Sequence, residues 1–404
     1  MHSTKNAQKI ITLSFSTRRK SIVYTSGTTG VPKGVMLLYS SSATVLGYAG
    51  DRLELNTGQP TRFFSYLPLC HIAERSLVES GSIASGGQVY FAESLETFSK
   101  NLQAASPTHF LAVPRIWTKL QLGILAKIPQ KKLDLFLKIP ILSSLVKNKI
   151  KKGLGLDKAR FVLTGAAPMP AELIRWFRAL GITIQEAYGM TENMGCHTLM
   201  PKDRIIDGTI GTQHPSVETR IDPITSEIQM KSPWNTPGYY KEPVMTAELL
   251  RDGWLCTGDM GEITPEGYIK ITGRVKDMFK TSKGEYVVPA PIEFGFAGNN
   301  FVEQVCVAGA NLPQPIALVV LSEMGTKAER DQVKQSLIDT IGAINPTVKH
   351  YEHIKKVVVM KEPWTIENEM LTPTLKIKRN VVEKTYKPHM ENWYESNEVV
   401  VWEY

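Results

Sequence analysis

Cysteine is scarce in this chain of 404 residues, and the cysteines that it has are scattered. The four thiols are Cys70, Cys196, Cys256 and Cys306, and no two of them form a C-x-x-C pair. Such spacing argues against a disulfide-stapled scaffold and against a structural zinc site. It is typical of proteins in a reducing compartment, so we expect a cytoplasmic protein.

Long apolar runs are also missing. No uninterrupted apolar stretch reaches about 18 residues, so the sequence predicts no transmembrane helix. The net charge is +8, but no arginine-rich helix, RNP-like aromatic run or zinc-finger spacing accompanies it, and we expect no nucleic-acid partner. The basic excess fits anionic small molecules such as nucleotides, or an anionic membrane surface.

The first twenty residues contain no acidic side chain. Their basic and hydroxylated composition is also the usual cue for a transit peptide. The alternative is a frayed or non-native start of the chain. The apolar run at 10–13 is too short to decide between this and a transit peptide. We favour a frayed or non-native start and treat residues 1–20 as an unmatched N-terminal segment.

From residue 160 the chain alternates between strand and helix patterns, which predicts an α/β fold. Apolar runs at 160–164 and 182–188 predict strands that end in glycine turns. Between them, four apolar side chains share one face of a predicted helix: Leu173, Ile174, Phe177 and Leu180. Further upstream, the apolar and small residues at 35–50 predict a buried helix.

Two regions of different character follow. Residues 208–273 form short β segments separated by turns, which predicts a β-rich subdomain. Beyond them, two strand patterns and a helix pattern at 330–341 predict a smaller α+β module. The length is sufficient for each part to have its own core, so we expect a large N-terminal domain at 21–275 and a small C-terminal domain at 276–404.

The segment 131–152 is strongly basic. Seven lysines face one acid, Asp134, and alternate with Leu, Ile and Phe. A basic amphipathic segment of this kind can lie on an anionic membrane. The more common structure is a solvated helix face over the core, and the sequence leaves both alternatives open.

A loop rich in small residues begins the ordered pattern of the chain, at Tyr24 to Gly34. The apolar run Ile22-Val23-Tyr24 leads into glycines, hydroxylated residues and then Lys33. Glycines let backbone N–H groups turn toward an anion, hydroxyls add donors, and the lysine adds a positive charge. The spacing is not that of a Walker A loop. The composition predicts a phosphate-binding turn.

This ordered run, ending in Pro32-Lys33-Gly34, resembles the phosphate-binding signature of the AMP-forming acyl-CoA synthetases, an adenylate-forming superfamily. The resemblance implies that Lys33 and the loop bind the β- and γ-phosphates of ATP. The loop residues concerned are Thr25, Ser26, Gly27, Thr28, Thr29 and Gly30.

Further motifs follow in the order that the family has. Gly165-Ala166-Ala167-Pro168 resembles the loop along the adenine, and Tyr188-Gly189-Met190-Thr191-Glu192 resembles the family's Tyr-Gly-x-Thr-Glu motif. The resemblance implies that Tyr188 stacks on adenine, that Thr191 hydrogen-bonds the phosphate, and that Glu192 helps to hold Mg²⁺.

The resemblance assigns the ribose hydroxyls to Asp259 and Arg274, and contacts to the α-phosphate and carboxylate to Lys376. Each residue has a simpler interpretation: Asp259 as a turn residue, Glu192 as an acid at a helix start, Lys376 as an exposed charge. Five motifs in the right order favour the functional interpretation.

His71 ends the segment Pro68-Leu69-Cys70-His71, which resembles the family's Pro-Leu-x-His strand end lining the carboxylate-substrate pocket. A histidine beside apolar residues is more often structural. A general-base role is not expected, because a carboxylic acid is already ionised at neutral pH. Lys276 corresponds to the hinge about which the mobile C-terminal domain of the family rotates.

The resemblance also implies a substrate class. Lys283 to Pro289 and Leu371 to Lys376 match the long-chain branch of the family. The expected reaction joins a long-chain fatty acid to ATP, giving acyl-adenylate and pyrophosphate, and then transfers the acyl group to CoA, releasing AMP. ATP, Mg²⁺ and CoA are therefore the expected cofactors, and fatty acid, ATP and CoA the expected partners.

Family members carry a sizeable subdomain before the phosphate loop, whereas only twenty residues precede it here. We therefore expect an adenylation domain that is incomplete at its N-terminus. Two alternatives to the ligase remain open. One is a truncated, non-catalytic remnant that binds nucleotide or acyl groups, and the other is a ligase that stops at the adenylate or acylates a carrier protein.

Overall fold

The computed structural model describes residues 18–26, 32–373 and 375–404. The first two strands, β1 (Arg19–Ser26) and β2 (Pro32–Leu38), pair as an antiparallel hairpin. The predicted loop residues Gly27, Thr28, Thr29 and Gly30 lie outside the described residues. The prediction of a helix at 35–50 is wrong for residues 35–38. These residues pair with β1, and the helix begins only at Tyr39.

A largely parallel sheet forms the core of the large domain. Its order is β4-β3-β5-β6-β7, all parallel, followed by β8 and β9, which are antiparallel. The strands are β3 Arg62–Ser65, β4 Gln88–Phe91, β5 His109–Ala112, β6 Phe161–Thr164, β7 Ile184–Tyr188, β8 Thr198–Leu199 and β9 Thr212–Gln213. All four residues of β6 are buried, as expected where helices cover both faces of a parallel sheet.

The helices of this domain pack their apolar faces on the sheet. Leu173, Ile174 and Phe177 are buried on the helix Ala171–Ala179, as the sequence predicts. The remaining α-helices are Tyr39–Arg52, Gly81–Ser85, Phe98–Ala105, Pro114–Lys127, Gln130–Lys138 and Pro140–Leu154. A π-helix, Glu74–Ser80, precedes Gly81. No helix in the described part of the chain is long and apolar enough to cross a membrane.

An antiparallel sheet follows, in the order β10-β11-β13-β12, with β14 also paired to β13. Its strands are β10 Glu218–Ile221, β11 Glu227–Lys231, β12 Leu250–Arg251, β13 Trp254–Ile263 and β14 Ile269–Arg274, and the helix Pro243–Leu249 precedes β12. This is the β-rich region that the turn spacing predicts.

The C-terminal part is an α+β module. A small hairpin joins β15 (Phe279–Lys280) to β16 (Tyr286–Val287), and a four-stranded sheet has the order β17-β18-β19-β20. These strands are β17 Val302–Ala308, β18 Ile316–Leu321, β19 Lys356–Val359 and β20 Val400–Trp402. Helices Pro289–Phe294, Glu323–Lys327, Arg330–Ile344 and Arg379–Glu395 accompany them. The predicted fold class, α/β followed by a small α+β module, is confirmed.

The C-terminal module packs against the large domain. Arg115 donates to Glu303 across the contact, with 3.1 Å between Nη2 and Oε1. Leu375 packs against the core of the large domain and also against the core of its own module. This arrangement brings the turn that carries Lys376 to the large domain.

Among the residues that the structure describes, the β1–β2 hairpin forms no strand pairs with the large sheets. It is anchored by a segment nearly 200 residues later, residues 236–240, which we call the clip. Main-chain hydrogen bonds join Met36 to Gly238 and Tyr240 to Gly34, and the Thr236 hydroxyl donates to the carbonyl of Met36 at 2.7 Å. The hairpin is therefore held by the clip along β2.

Candidate active site

The predicted site residues lie where the parallel strands end. Gly165 follows β6, Tyr188 closes β7, and His71 lies beyond the end of β3. Because these strands are parallel, their carboxyl ends share one edge of the sheet. The chain moves outward from β3 to β4 and in the opposite direction from β5 to β6, so a topological switch point lies between β3 and β5. Open α/β sheets bind ligands at such points.

Tyr188, Asp259 and Arg274 are assembled into one group. The Tyr188 hydroxyl donates to Asp259 Oδ2 at 2.7 Å, and Arg274 Nε donates to Asp259 Oδ1, also at 2.7 Å. Asp259 and Arg274 are cross-strand partners on β13 and β14. Burial raises the pKa of Tyr188, so its hydroxyl remains a donor. We call this group the nucleoside end.

The two glycine turns beside this group are closely packed. A Cβ on Gly165 would lie 2.7 Å from the carbonyl oxygen of Ala187, and a Cβ on Gly189 would lie 2.2 Å from the main chain of Gly195. Neither position has room for a side chain. Ala166 has a φ of 67°, and with Ala167 it forms the turn after β6. The main chain of both loops is therefore fixed near Tyr188.

A second group contains Glu192, Tyr239 and Lys33, and we call it the phosphate end. Glu192 is buried, and its Oε1 accepts from the Tyr239 hydroxyl at 2.7 Å. The Nζ of Lys33 lies 5.2 Å from the centre of the Tyr239 ring, on its face. Burial raises the pKa of Glu192, while the Tyr239 hydrogen bond and the charges of Lys33 and Arg274 oppose that rise. Thr191, the neighbour of Glu192, is also buried.

At the base of the hairpin, Thr25 pairs with Lys33 and Ser26 with Pro32. The hairpin register therefore fixes where the loop leaves and re-enters the structure. Lys33, the second residue of β2, is brought to the phosphate end by this pairing.

The sequence analysis missed Tyr239. Its signal is the run Gly238-Tyr239, followed by Pro243 and Thr246. The main-chain N–H of Tyr239 donates to the Thr246 hydroxyl at 2.9 Å, and Pro243 begins the helix that carries this threonine. Gly238 has a φ of 137°, and a Cβ there would collide with Thr246 at 2.3 Å. The spacing of these four residues fixes the main chain of the clip at Tyr239.

Lys376 lies on a turn closed by the bridge between Leu371 and Ile377. Its main-chain N–H donates to the Thr372 hydroxyl at 3.1 Å, and Leu375 before it has a φ of 63°. Burial lowers the pKa of Lys376 to about 8; the charge of Arg274 lowers it further and that of Asp259 opposes this. The ammonium is therefore within electrostatic range of the nucleoside end.

His71 lies near the same lysine. Burial and the positive charge of Lys376 lower the pKa of His71 to about 4, so its imidazole is neutral at physiological pH. Nδ1 accepts from the main-chain N–H of Ala73 at 3.2 Å, which leaves the proton on Nε2. An imidazole with so low a pKa is a weak base. This fits the expected role of His71 as a side chain that lines a pocket.

The π-helix Glu74–Ser80 was also missed. Glu74 is buried, and burial raises its pKa to about 7 against hydrogen bonds from Ser65 and Leu67. Arg75 Nη1 donates to the Ser21 hydroxyl at 2.6 Å, and the Ser76 hydroxyl donates to the carbonyl of Met194 at 2.8 Å. The π-helix thus joins the hairpin to the loop that carries Glu192.

Lys276 is not brought to either group. It is exposed, two residues beyond Arg274, and Asp277 N–H donates to the carbonyl of Arg274 in a tight turn between β14 and the C-terminal module. The position suits a connection between two bodies, and the hinge role stays a prediction.

Glu192 is the candidate side-chain ligand for a magnesium ion at this site. Among the described residues, no group of three or more histidine, cysteine or carboxylate side chains is placed to hold a metal. Mg²⁺ bound with a nucleotide needs only one or two carboxylates, since phosphates and water supply the other ligands. The buried Glu192 beside Lys33 fits that requirement.

Comparison with known proteins gives two family matches. Residues 20–240 match the model of the AMP-binding enzyme family, and residues 276–398 match that of the AMP-binding enzyme C-terminal domain. Together they cover every site residue predicted from the sequence except Asp259 and Arg274.

Two curated relatives are similar over most of the chain. Long-chain-fatty-acid–CoA ligase 5 of Mus musculus is 33% identical over 93% of this chain, and the peroxisomal long chain acyl-CoA synthetase 6 of Arabidopsis thaliana is 30% identical over 93%. The chain spans 62% and 60% of the lengths of these two relatives.

Among solved structures, the A domain of carboxylic acid reductase from Segniliparus rugosus superposes with a TM-score of 0.75 at 25% identity. The match covers 94% of this chain and 62% of that one. That structure was determined in complex with AMP and a co-purified carboxylic acid.

Proposed function

The chain belongs to the AMP-binding enzyme family, and on that premise we propose that it activates a carboxylic acid with ATP and passes the acyl group to CoA. The observation that carries the proposal is the hydrogen-bonded group of Tyr188, Asp259 and Arg274, whose two charges act on the buried Lys376. A cation at that position would contact the α-phosphate of a nucleotide bound at the nucleoside end.

In the first half-reaction, a carboxylate oxygen of the acid attacks the α-phosphorus of ATP. The bond from that phosphorus to the bridging oxygen breaks, and pyrophosphate leaves. Lys376 stabilises the charge at the α-phosphate, and Lys33 with the loop Thr25 to Gly30 holds the leaving phosphates. Thr191 donates to the phosphate chain, and His71 lines the acid pocket. No general base is needed, because the acid is already ionised.

Magnesium, when bound with ATP, supplies neutralising charge on the phosphates, and Glu192 would hold it. Tyr188 and the turn Gly165 to Ala167 accommodate the adenine, with Gly189 allowing close approach of the main chain. Asp259 and Arg274 bind the ribose. Each oxygen of Asp259 keeps a second lone pair beyond its bond to Tyr188 or Arg274.

In the second half-reaction, the CoA thiol attacks the carbonyl carbon of the acyl-adenylate. AMP leaves, and the thiol proton passes to solvent. We propose that the module 276–404 rotates about Lys276 between the two steps, withdrawing Lys376. The partly exposed ion pair of Arg115 with Glu303 suits a module that must separate and dock again.

The acid is proposed to be a long-chain fatty acid. The two curated relatives carry that substrate class in their names, and the runs Lys283–Pro289 and Leu371–Lys376 resemble the long-chain branch. The whole activity is a proposal, because the chain spans about three fifths of those relatives.

The deciding experiment is acid-dependent pyrophosphate–ATP exchange and CoA-thioester formation, measured from acetate to long-chain fatty acids. We expect both with long chains. No exchange with any acid would contradict the ligase and leave a nucleotide-binding remnant. Exchange without thioester would favour a chain that stops at the adenylate or acylates a carrier protein.

We further propose a peripheral contact between the basic helix pair at 131–152 and an anionic membrane, which would place a cytoplasmic enzyme at a lipid surface. Four large apolar side chains near the turn between the helices are exposed: Leu135, Ile139, Ile141 and Leu145. The exposed lysines at 131, 132, 138, 149 and 152 flank them. Apolar side chains rimmed by cations match an anionic bilayer surface.

Co-sedimentation with vesicles tests this contact. Binding to phosphatidylcholine vesicles containing phosphatidylserine should exceed binding to phosphatidylcholine alone and should weaken with salt. Glutamine at Lys131, Lys132 and Lys149 should abolish the excess, whereas glutamine at Lys384 and Lys387, exposed on another helix, should not. Equal behaviour of the two variants would contradict the proposal.

A further inference from the structure

Tyr239 contacts both charged residues of the phosphate end. Its hydroxyl donates to Glu192 Oε1 at 2.7 Å, and Lys33 Nζ lies 5.2 Å above its ring. We propose that Tyr239 is a positioning residue for the triphosphate, which holds Glu192 and Lys33 at a fixed separation. The inference rests on the proposed function in taking the ligand to be ATP.

The role follows from what these two charges would otherwise do. A buried carboxylate and a nearby ammonium attract each other strongly, and a direct ion pair would occupy both. Among the ion pairs of the described residues, none joins Lys33 to Glu192. Tyr239 is 7% exposed and satisfies both charges separately: its hydroxyl bonds the anion and its ring face attracts the cation. Each charge can then still bind its part of the ligand.

Main-chain hydrogen bonds of Tyr239 and of its neighbours in the clip fix the position of the Tyr239 ring. Tyr239 bridges Val35 on β2, its N–H donates to Thr246, and the next N–H, that of Tyr240, donates to the carbonyl of Gly34 at 2.7 Å. The clip also reaches Glu192 directly, because Thr236 N–H donates to the Glu192 carbonyl at 2.7 Å. Tyr239 is therefore fixed to the strand of Lys33 and to the loop of Glu192.

The proposed role uses the hydroxyl of Tyr239, which bonds Glu192, and its ring, which contacts Lys33. Two substitutions separate these contributions. Tyr239→Phe removes the hydroxyl and keeps the ring beneath Lys33, whereas Tyr239→Leu removes both. Tyr240→Phe is the matched control, because its ring faces Arg19 and Lys241 rather than the site.

The test is calorimetric binding of magnesium-ATP and of AMP to the full chain. A hydrogen bond to a charged group corresponds to roughly a 10- to 100-fold change in affinity. We expect Tyr239→Phe to weaken magnesium-ATP by about tenfold or more, with AMP changed less than about twofold, since AMP lacks the leaving phosphates. Tyr239→Leu should weaken magnesium-ATP further. The inference would be overturned if Tyr239→Phe bound magnesium-ATP as tightly as Tyr240→Phe does, or if it weakened magnesium-ATP and AMP equally.

A double-mutant cycle tests the connection to Glu192. In a Glu192→Gln background, Tyr239→Phe should weaken magnesium-ATP by much less than it does in the wild type. Full additivity would show that Tyr239 acts independently of Glu192 and would contradict the role. If the wild type shows no acid-dependent exchange, the ligase proposal fails, while the two nucleotide affinities still decide the role of Tyr239.

Discussion

The nucleoside end and the phosphate end of the site are built differently. At the nucleoside end, the motif residues bond one another: Asp259 accepts directly from Tyr188 and Arg274, each at 2.7 Å. At the phosphate end, Lys33 and Glu192 form no ion pair among the described residues, and each contacts Tyr239, which belongs to neither motif. One end is assembled by its own residues, and the other depends on the clip.

The difference has a topological cause. Asp259 and Arg274 meet because β13 and β14 are paired, and Tyr188, at the end of β7 in the parallel sheet, donates to Asp259 across from the other sheet. Lys33 lies on a two-stranded hairpin outside the large sheets. The clip and the π-helix bond that hairpin to the loop of Glu192, and apolar side chains of β1 and β2 pack with Met194 in that loop. A site residue on a separate hairpin therefore needs supporting residues that no functional motif contains.

The largest effect is expected at Lys376, which would contact the phosphate between the two ends. Lys376→Ala should slow acid-dependent pyrophosphate exchange by roughly 10²- to 10³-fold, as expected for loss of one charge-stabilising contact. Thioester formation from supplied acyl-adenylate should change little. Normal exchange by Lys376→Ala would show that the lysine has no role in adenylation.

The same lysine predicts a pH dependence. With a pKa of about 8, Lys376 is a cation below that pH and loses its proton above it. Exchange should therefore fall as pH rises through about 8. Lys376→Arg should remove this decrease, because arginine stays protonated throughout. A wild-type profile that is flat to pH 10 would contradict the assignment.

Asp259→Asn should disrupt the nucleoside end, since the amide is uncharged, keeps only one acceptor oxygen and turns an NH2 donor toward the other donor, Tyr188 or Arg274. We expect AMP and ATP to weaken together by roughly 10- to 100-fold. This result contrasts with Tyr239→Phe, which should spare AMP. If Asp259→Asn weakened ATP alone, the division into two ends would be wrong.

A smaller effect should come from Thr246, which holds the clip without touching the site. Thr246→Val removes the acceptor for the Tyr239 N–H and should weaken magnesium-ATP about three- to tenfold, for one neutral hydrogen bond. Thr44→Val is the control, because its hydroxyl bonds a helix carbonyl four residues earlier at 2.9 Å. Calorimetry with AMP should show no change for either variant.

The smallest effect is expected at the contact between the two domains. Glu303→Gln removes its ion pairs with Arg115 and Lys119. Partly exposed pairs are worth about 1 kcal/mol or less, so exchange should fall by no more than about fivefold. Thioester formation from supplied adenylate should not decrease. A fall in both steps would indicate damage to the fold instead of a docking role.

The sequence predicts the parts of the site that depend on local pattern. The strand that ends at Tyr188 and the helix at 171–179 follow from apolar periodicity, although the strand begins at Ile184 and not at 182 as predicted. The order of the motifs selects Asp259 and Lys376 as candidate site residues. The prediction fails at 35–38, because short apolar runs fit helix and strand equally and only pairing with β1 decides.

Tyr239 and the π-helix residue Ser76 could not be predicted, for a different reason. Their importance comes from contacts over long sequence separations: Tyr239 lies 47 residues from Glu192. No periodicity encodes such a contact. The Gly-Tyr, Pro, Thr spacing at 238–246 was visible, but its meaning depends on the φ of Gly238 and on Thr246 closing over it.

The π-helix Glu74–Ser80 has a consequence for changes in chain length. A π turn contains one more residue than an α turn, and deleting one residue would convert it to ordinary α-helix. The deletion would rotate the side chains on one side of it by roughly 100° relative to those on the other. Arg75 and Ser76 could then no longer reach both Ser21 and Met194. This segment should therefore tolerate a conservative substitution better than an insertion or deletion.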